Sequence, residues 1–440
     1  MSKIVYKLGG TSQCKIGYDR LINQLKDNLK INNKSFVILS AISGVTNNLV
    51  KFTETKNMTY IEKVLELNYN LIEKLGLNKQ LKLLFIIENK FLTLCNTFIK
   101  SFDMTDIYEK SEIIGYGEIF STNIFYQYLI KNLSEEDIFL IKLFNSYDFI
   151  KSKKEIYQCN STTEFYSIMP NEISDINIFQ GFIGSTPSCK KVLLGRGGSD
   201  TTGALIANTL NAQMYEVWTD VDGIYTADPR IFSADLIPKI DYELIQELAS
   251  MGAKVMHPLS IKPCADKNIP IYVKNTFNHE TIGTQITNIS ESEIYTKYIL
   301  FYAIQKNETV FKIKSLDMWN SFGFLNDIFR KFSENKIDVN IVTTSQFSVS
   351  ATTNEQNKYK LLELKQILLE RYDVEMIVNC TVLSVVTRNI RNLLSNTKFN
   401  EINAEIIHIS DNNMTINFVL RDFNPNIIKN FNISQKLYDL

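Results

Sequence analysis

LLGRGGSDTTGALIAN, Leu193 to Asn208, is the stretch on which the reading of this chain turns. The apolar residues Val192 to Leu194 read as a short strand. A glycine-rich turn follows, carrying Arg196, Ser199 and Asp200, and then a helix. A helix N-terminus with free N–H groups is an anion site. Arg196 adds a planar fork suited to a carboxylate. Asp200 is the odd member, because a bare phosphate site would not want it. It makes sense if it holds a lysine or takes part in phosphoryl transfer. The plainer alternative is that Ser199 or Asp200 caps the helix.

Toward the C-terminus, VWTDVDGIYTADPR (Val217 to Arg230) is a strand end running into a polar loop. With Tyr225 and Arg230 the loop offers hydroxyls, an aromatic face and a cation, the composition of a nucleotide pocket. A simple turn around Asp222 and Gly223 is the alternative. ASMGAKVMHP (Ala249 to Pro258) places Lys254 in a helical segment, either reaching back to phosphates or solvated at the surface. Toward the N-terminus, GYGEIFST (Gly115 to Thr122) sets Glu118 in an apolar, aromatic stretch. A carboxylate there needs a partner, a lysine of the fold or the ammonium of a ligand. SAISGVTNN (Ser40 to Asn48) offers Ser40 and Thr46 where a parallel sheet opens its crevice, or is an ordinary turn with a helix cap. KLGGTS (Lys7 to Ser12) lets the backbone of Gly9 and Gly10 approach an anion beside the charge of Lys7. A plain turn would use the same glycines. No GxxxxGK[ST] loop occurs.

Strands at Lys3–Lys7, Phe36–Ser40, Ile138–Leu143, Ile176–Gln180, Val192–Leu194 and Tyr215–Thr219 alternate with helical segments. The longest helical stretch runs from about Tyr60 to Lys131. This pattern predicts an α/β fold with a mostly parallel sheet covered on both faces. Polar residues from Asn278 to Ser292 suggest a linker. Beyond it the texture becomes βαββαβ: Val310–Lys314, a helix near Phe324–Glu334, Asp338–Thr343, Phe347–Ala351, a helix near Tyr359–Arg371, and Val374–Val385. A shorter second unit follows, with strands near Ala404–Ser410 and Met414–Leu420. The expected domains are 1–290, 291–385 and 386–440, the first strand of the second domain possibly shared with the third.

The 440 residues are 45% hydrophobic, with 47 basic and 48 acidic side chains and a net charge of -1. That balance offers no footprint for nucleic acid. No apolar run reaches the ~18 residues that span a membrane, and no signal peptide is recognised. The six cysteines lack CxxC or zinc spacing, so no metal site is expected and free thiols in the cytoplasm are. Of the three histidines, His257 precedes a proline and is expected to pack locally rather than act as a base.

Taken in order, these segments resemble the aspartate kinase pattern of the amino acid kinase family. The likeness runs from Lys3 to about Ser350. It is dense through QGFIG, LGRGGSD, WTDVDGIYTADPR, GAKVMHP and IPIYVKNTF. SLDMWNSFGFL (Ser315 to Leu325) and VNIVTTSQFSVS (Val339 to Ser350) resemble ACT regulatory domains of the lysine-sensitive type. The resemblance implies an αβα sandwich with two ACT-like units. It implies ATP-dependent phosphorylation of the L-aspartate β-carboxylate, the first step toward lysine, threonine and methionine. Mg²⁺ would ride on the nucleotide phosphates. Lys7 and Lys254 would neutralise the transferring phosphoryl group, and Asp200 would orient Lys7. Arg196 would grip the α-carboxylate of aspartate and Glu118 its ammonium. Ser40, Thr46, Phe182 and Ser199 would line the pocket. Gly9, Gly10, Thr219, Asp220, Tyr225 and Arg230 would hold the nucleotide. An amino-acid effector, lysine or threonine, would meet Met318, Ser321, Gly323, Phe324, Leu325, Val339, Asn340, Thr344 and Ser345. Pairing of the ACT-like units implies a homodimer or homotetramer.

The chain departs from the pattern in places. Asn145-Ser146-Tyr147 stands where an Asp-Ala-Arg-like stretch is usual, Phe179 where Thr is, and Val192-Leu193 where Thr-Thr is. Asn340 and Gln346 replace acidic side chains of lysine-sensitive relatives, so lysine inhibition is expected to be weak or absent. Competing readings are another amino acid kinase of the glutamate type, or an inactive kinase domain kept as an amino-acid sensor.

Overall fold

The computed structural model describes residues 1–78, 82–101, 106–156, 164–230, 234–251, 256–289, 301–316, 322–387, 405–411 and 414–421. Two compact units emerge. The first comprises Met1–Ile224, Leu236–Gln246 and Lys254–Asn288, and the second Tyr225–Asp235, Glu247–Ala253 and Ile289–Leu440.

In chain order the elements up to residue 288 are β1 (Lys3–Leu8), α1 (Lys15–Lys30), β2 (Lys34–Leu39), α2 (Val45–Thr55), α3 (Thr59–Lys74), α4 (Lys82–Lys100), α5 (Ile107–Asn132) and α6 (Glu135–Ile138). There follow β3 (Ile141–Phe144), α7 (Ser146–Phe149), β4 (Ile150–Ser152), β5 (Phe165–Ser167), β6 (Ile176–Gln180), β7 (Ile183–Ser185), β8 (Lys191–Leu193) and α8 (Gly198–Leu210). Then come β9 (Met214–Thr219), β10 (Ile224–Tyr225), β11 (Leu236–Ile237), β12 (Lys239–Ile240), α9 (Tyr242–Ser250), α10 (Pro258–Ala265), β13 (Ile271–Asn275) and β14 (Thr284–Ile286).

The main sheet has the order β12-β14-β13-β9-β1-β2-β6-β3. β1 lies parallel to β2 on one side and to β9 on the other. The chain therefore changes direction across the sheet at β1, the kind of switch point beyond whose C-terminal strand ends an open α/β sheet takes its ligand. β1 and β2 are buried at all but their first residue, as strands covered on both faces must be. On one helix face, Tyr18, Leu21, Ile22 and Leu25 of α1 meet Tyr6, Leu8, Val37 and Leu39. α5 is buried nearly all round from Ile113 to Phe125, which explains its weak amphipathic pattern. A second cluster joins α2, α3, α4 and α5 through Phe52, Ile61, Phe91, Phe98 and Phe120.

Three sequence expectations need correction. The strand expected from Ile138 begins at Ile141, because Ser134 caps the short helix α6 by accepting the Asp137 N–H. The expected linker contains β14, which pairs antiparallel with β13. Its tight return needs Gly283 at φ +83, where a Cβ would lie 2.2 Å from the Val273 carbonyl. Asp338–Ile341 is not strand; β16 starts at Val342.

The second unit carries β15 (Phe301–Lys314), α11 (Phe324–Glu334), β16 (Val342–Thr344), β17 (Ser348–Thr353), α12 (Lys358–Leu369), β18 (Asp373–Val386), β19 (Glu405–Asp411) and β20 (Thr415–Arg421). These form one antiparallel sheet in the order β16-β17-β15-β18-β20-β19. β15 and β18 run its full height, with register shifts on either side of Glu308. The two helices pack on one half through Ile328, Phe332, Leu361, Leu364 and Leu368. β15 and β18 thus run side by side through the middle of a single sheet.

Candidate active site

Lys7, the penultimate residue of β1, is 8% exposed. Its ammonium meets Asp200 Oδ1 at 2.6 Å. Asp200 sits in the first turn of α8, so the ion pair ties the first strand to the glycine turn nearly two hundred residues on. Packing leaves no room for a side chain at Gly10. A Cβ on Gly10 would lie 2.9 Å from the Ala41 carbonyl. Gly10 in turn accepts the Ser43 N–H at 3.1 Å, joining KLGGTS to SAISG.

Glu118 is the most perturbed carboxyl group of the unit. It is 3% exposed. Oε1 accepts the Ala41 N–H at 3.2 Å, while buried Oε2 takes no hydrogen bond. Burial pushes its pKa up to about 8, opposed by the Ala41 N–H. Three residues on, Ser121 donates to the Ser40 carbonyl at 2.7 Å, so α5 and the loop after β2 are fixed to one another. Thr46 lies half-buried at the start of α2.

The turn into α8 depends on Gly195 at φ +80 and Gly197 at φ +69. A Cβ on Gly197 would stand 2.4 Å from the His257 Cβ. Gly181 faces Ser199 with no space for a Cβ, and Gly198 faces Phe182 in the same way. Phe182 itself holds φ +67, an uncommon conformation for a bulky residue. Its N–H donates to Thr202 Oγ1 at 3.1 Å and its carbonyl accepts the Leu194 N–H at 2.9 Å. Arg196 is exposed on the turn. Burial and the Arg196 charge hold the His257 pKa below its ordinary value, with Asp200 acting the other way. Lys7, Asp200, Arg196, Ser199, Phe182 and His257 therefore converge.

Thr219 and Asp220 follow at the end of β9, Thr219 Oγ1 donating to Asp220 Oδ1 at 3.2 Å. Gly9 donates to the Trp218 carbonyl at 2.9 Å, which brings the first loop beside them. Tyr225 and Arg230 belong to the second unit, where Arg230 bonds Asp228 through Nε and Nη2 at 2.9 and 2.8 Å. Lys254, Met318 and Ser321 lie outside the described residues. In the second unit, Gly323 at φ +84 begins α11, which opens with Phe324 and Leu325. Val339 packs against the helices. Ser345 follows Thr344 and bonds the Ser348 hydroxyl at 2.8 Å. Asn340 Nδ2 donates to both Glu308 oxygens, at 3.1 and 3.0 Å.

Sequence reading did not assign His257, Thr202 or Ser12 a place here. Only the HP dipeptide carried a signal, since a residue before proline is extended and suits a helix N-cap. The departures are absorbed locally. Ser146 bonds Gln180 through its N–H and hydroxyl, and Phe179 stacks on Phe144 with centroids 4.9 Å apart. A cleft of about 400 Å³ lined by Lys26, Lys30, Asp137 and Asp175 lies near the opposite, N-terminal strand ends.

Residues 2–275 match the amino acid kinase family. The chain is 31% identical over 362 residues to lysine-sensitive aspartokinase 3 of Escherichia coli, covering 80% of this chain and 78% of that one. This chain belongs to the aspartokinases of the amino acid kinase family. Another aspartokinase relative is chloroplastic aspartokinase 3 of Arabidopsis thaliana, 29% identical over 450 residues, 95% of this chain and 78% of that one. The fold matches the crystal structure of E. coli aspartokinase III in complex with aspartate and ADP, R-state, with TM-score 0.77 and 24% identity over 99% of this chain and 98% of that one. It also matches Clostridium acetobutylicum aspartate kinase, with TM-score 0.72 and 21% identity over 97% and 99%. The aspartokinase architecture is thus present throughout, an amino acid kinase sandwich followed by ACT-like α+β structure.

Proposed function

We infer that this aspartokinase transfers the γ-phosphoryl group of ATP to the β-carboxylate of L-aspartate, giving 4-phospho-L-aspartate. Beside the family, the observation that carries the reading is the lone buried oxygen of Glu118. A carboxylate sealed from water with one oxygen unmatched is costly unless a cation arrives. The ammonium of aspartate is such a cation. Arg196 takes the α-carboxylate, and Ser40, Thr46, Phe182 and Ser199 shape the pocket. The β-carboxylate, with an ordinary pKa of about 3.9, is already ionised at neutral pH. Its oxygen attacks the γ-phosphorus, the bond to the β-phosphate oxygen breaks, and ADP leaves. No proton moves, so no general base is needed.

Transfer then rests on positioning and charge. Lys7, aimed by Asp200, meets the developing charge, and Lys254 is assigned the same task. Losing one such contact should cost about 3–4 kcal/mol, or 10²–10³ in kcat. Gly9, Gly10, Thr219, Asp220, Tyr225 and Arg230 hold the nucleotide. Mg²⁺ enters with ATP as part of that substrate; among the described residues no group of three or more His, Cys, Asp or Glu side chains is arranged to hold an ion. The catalytic domain is assigned to 1–290, with ACT-like domains at 291–385 and 386–440. Gly323, Phe324, Leu325, Val339, Asn340, Thr344 and Ser345, with Met318 and Ser321, are proposed to meet an amino-acid effector. A homodimer or homotetramer through the ACT-like units is supported by the edge position of β16 and by exposed Val342 and Phe347. Free thiols at Cys14, Cys95, Cys189, Cys264 and Cys380 support a cytoplasmic place.

The test is trapping of the acyl phosphate with hydroxylamine, using aspartate and glutamate in parallel, for wild type and Arg196→Ala. Hydroxamate should form from aspartate. The variant should need about tenfold or more aspartate for the loss of a charged contact, with ATP saturation little changed. Equal aspartate saturation would remove Arg196 from its role, and glutamate preference would overturn the substrate.

A further inference from the structure

Asp220 lies exposed just beyond Thr219, the last residue that β9 pairs with β13. What fixes the chain there is the next acid. Asp222 Oδ1 accepts Asn275 Nδ2 at 2.7 Å, Asn278 Nδ2 at 3.1 Å and Thr281 Oγ1 at 3.4 Å. All three donors come from one stretch, the end of β13 and the loop beyond it. Gly223 then takes φ +148, where a Cβ would stand 2.5 Å from Thr284 Oγ1. The Ile224 N–H donates to that same hydroxyl at 2.8 Å, and the hydroxyl donates to the Ile237 carbonyl at 2.6 Å. The turn is pinned at both ends.

The same stretch reaches the phosphate side. The Thr276 N–H donates to the Thr219 carbonyl at 2.8 Å, and its hydroxyl meets Ser12 Oγ at 2.5 Å. Ser12 Oγ also donates to the Trp218 carbonyl at 3.2 Å. Residues 275–281 are thus a strap coupling the Gly10–Ser12 turn, through Ser12, to Thr219 at the end of β9. Arg20 secures its start, donating to the Asn275 carbonyl while lying over the Trp218 ring. A carboxylate gathering three donors holds such a strap more firmly than a neutral acceptor would.

We propose that Asp222 is a positioning residue for the nucleotide, its carboxylate anchoring the strap that sets Thr219 and Asp220 against the glycine loop. This rests on the aspartate kinase reading for the identity of the ligand. In the full-length protein, Asp222→Ala should raise the KM for ATP about tenfold while the aspartate KM stays within about twofold. Asp222→Asn, which keeps an acceptor oxygen in place but not the charge, should recover part of the loss. An unchanged ATP KM overturns the proposal, and so does an equal rise in both KM values, the mark of a merely structural role. If Asp222→Ala does not fold, Asn278→Ala carries the test, and an ATP KM equal to wild type again overturns it. The rise in melting temperature on adding MgATP is read in parallel, without turnover. Wild type that forms no aspartyl hydroxamate faults the functional reading; wild type and Asp222→Ala equally stabilised by MgATP fault the strap.

Discussion

At the scale of single residues, Glu118 makes the sharpest prediction. Burial raises its pKa to about 8 in the ligand-free protein. The folded chain keeps this proton where the unfolded chain has lost it. Stability from this group is therefore full at low pH and falls as pH rises from the ordinary carboxylate range through about 8. Aspartate binding, by contrast, needs the ionised form, so below that pH it should release a proton. Calorimetry in buffers of different ionisation enthalpy reads the release, and the aspartate KM should fall as pH climbs toward 8. Glu118→Gln should remove the pH slope and weaken aspartate by about 2 kcal/mol or more, the cost of losing one partner of a buried charge pair. A wild-type KM that is flat across this range would refute the ammonium role. Lys7 and Asp200 teach a different point. Sequence reading left Asp200 between a lysine partner and a helix cap, and a 2.6 Å contact chose the lysine.

At the scale of elements, helices announced themselves best. α3, α4 and α5 lie in the stretch expected from Tyr60 to Lys131; the 3.6-residue periodicity is clear in α3 and α4, whereas α5, buried nearly all round, carries little of it. Short strands were less legible. β14 is the short triplet Thr-Gln-Ile, with a single apolar residue, and it becomes a strand because β13 and β12 lie beside it. Likewise the bulge around Glu308 in β15 has no signature in the one-dimensional pattern. There a 1% exposed carboxylate receives only neutral help from Asn340, and burial raises its pKa. Asn340→Asp would set two carboxylates in contact. The variant should be less stable than wild type, by about 1–3 kcal/mol at pH 8. The deficit should shrink toward pH 5 as one carboxyl takes up a proton. Thermal melts at both pH values check this, and a deficit independent of pH would sink the account.

At the scale of the whole molecule, regulation is the open quantity. Asn340 already serves Glu308, and Gln346 is exposed and neutral. An effector ammonium arriving there would meet amides, so millimolar lysine should leave most of the aspartate kinase activity in place. A lysine titration that inhibits fully would show otherwise. The residues alone determined the chemistry on offer: which groups are charged, where glycine permits close backbone approach, and which runs must be buried. Those follow from composition and short-range periodicity, and with the family resemblance they named the fold and proposed a site. Only the tertiary structure decided which groups share a space. Sheet order is a long-range property, and β1 meets β9 across some two hundred residues because burying both strands on both faces costs less than leaving either edge wet. That pairing, absent from any local window, is what sets Lys7 on Asp200 and closes the strap of residues 275–281 on Asp222.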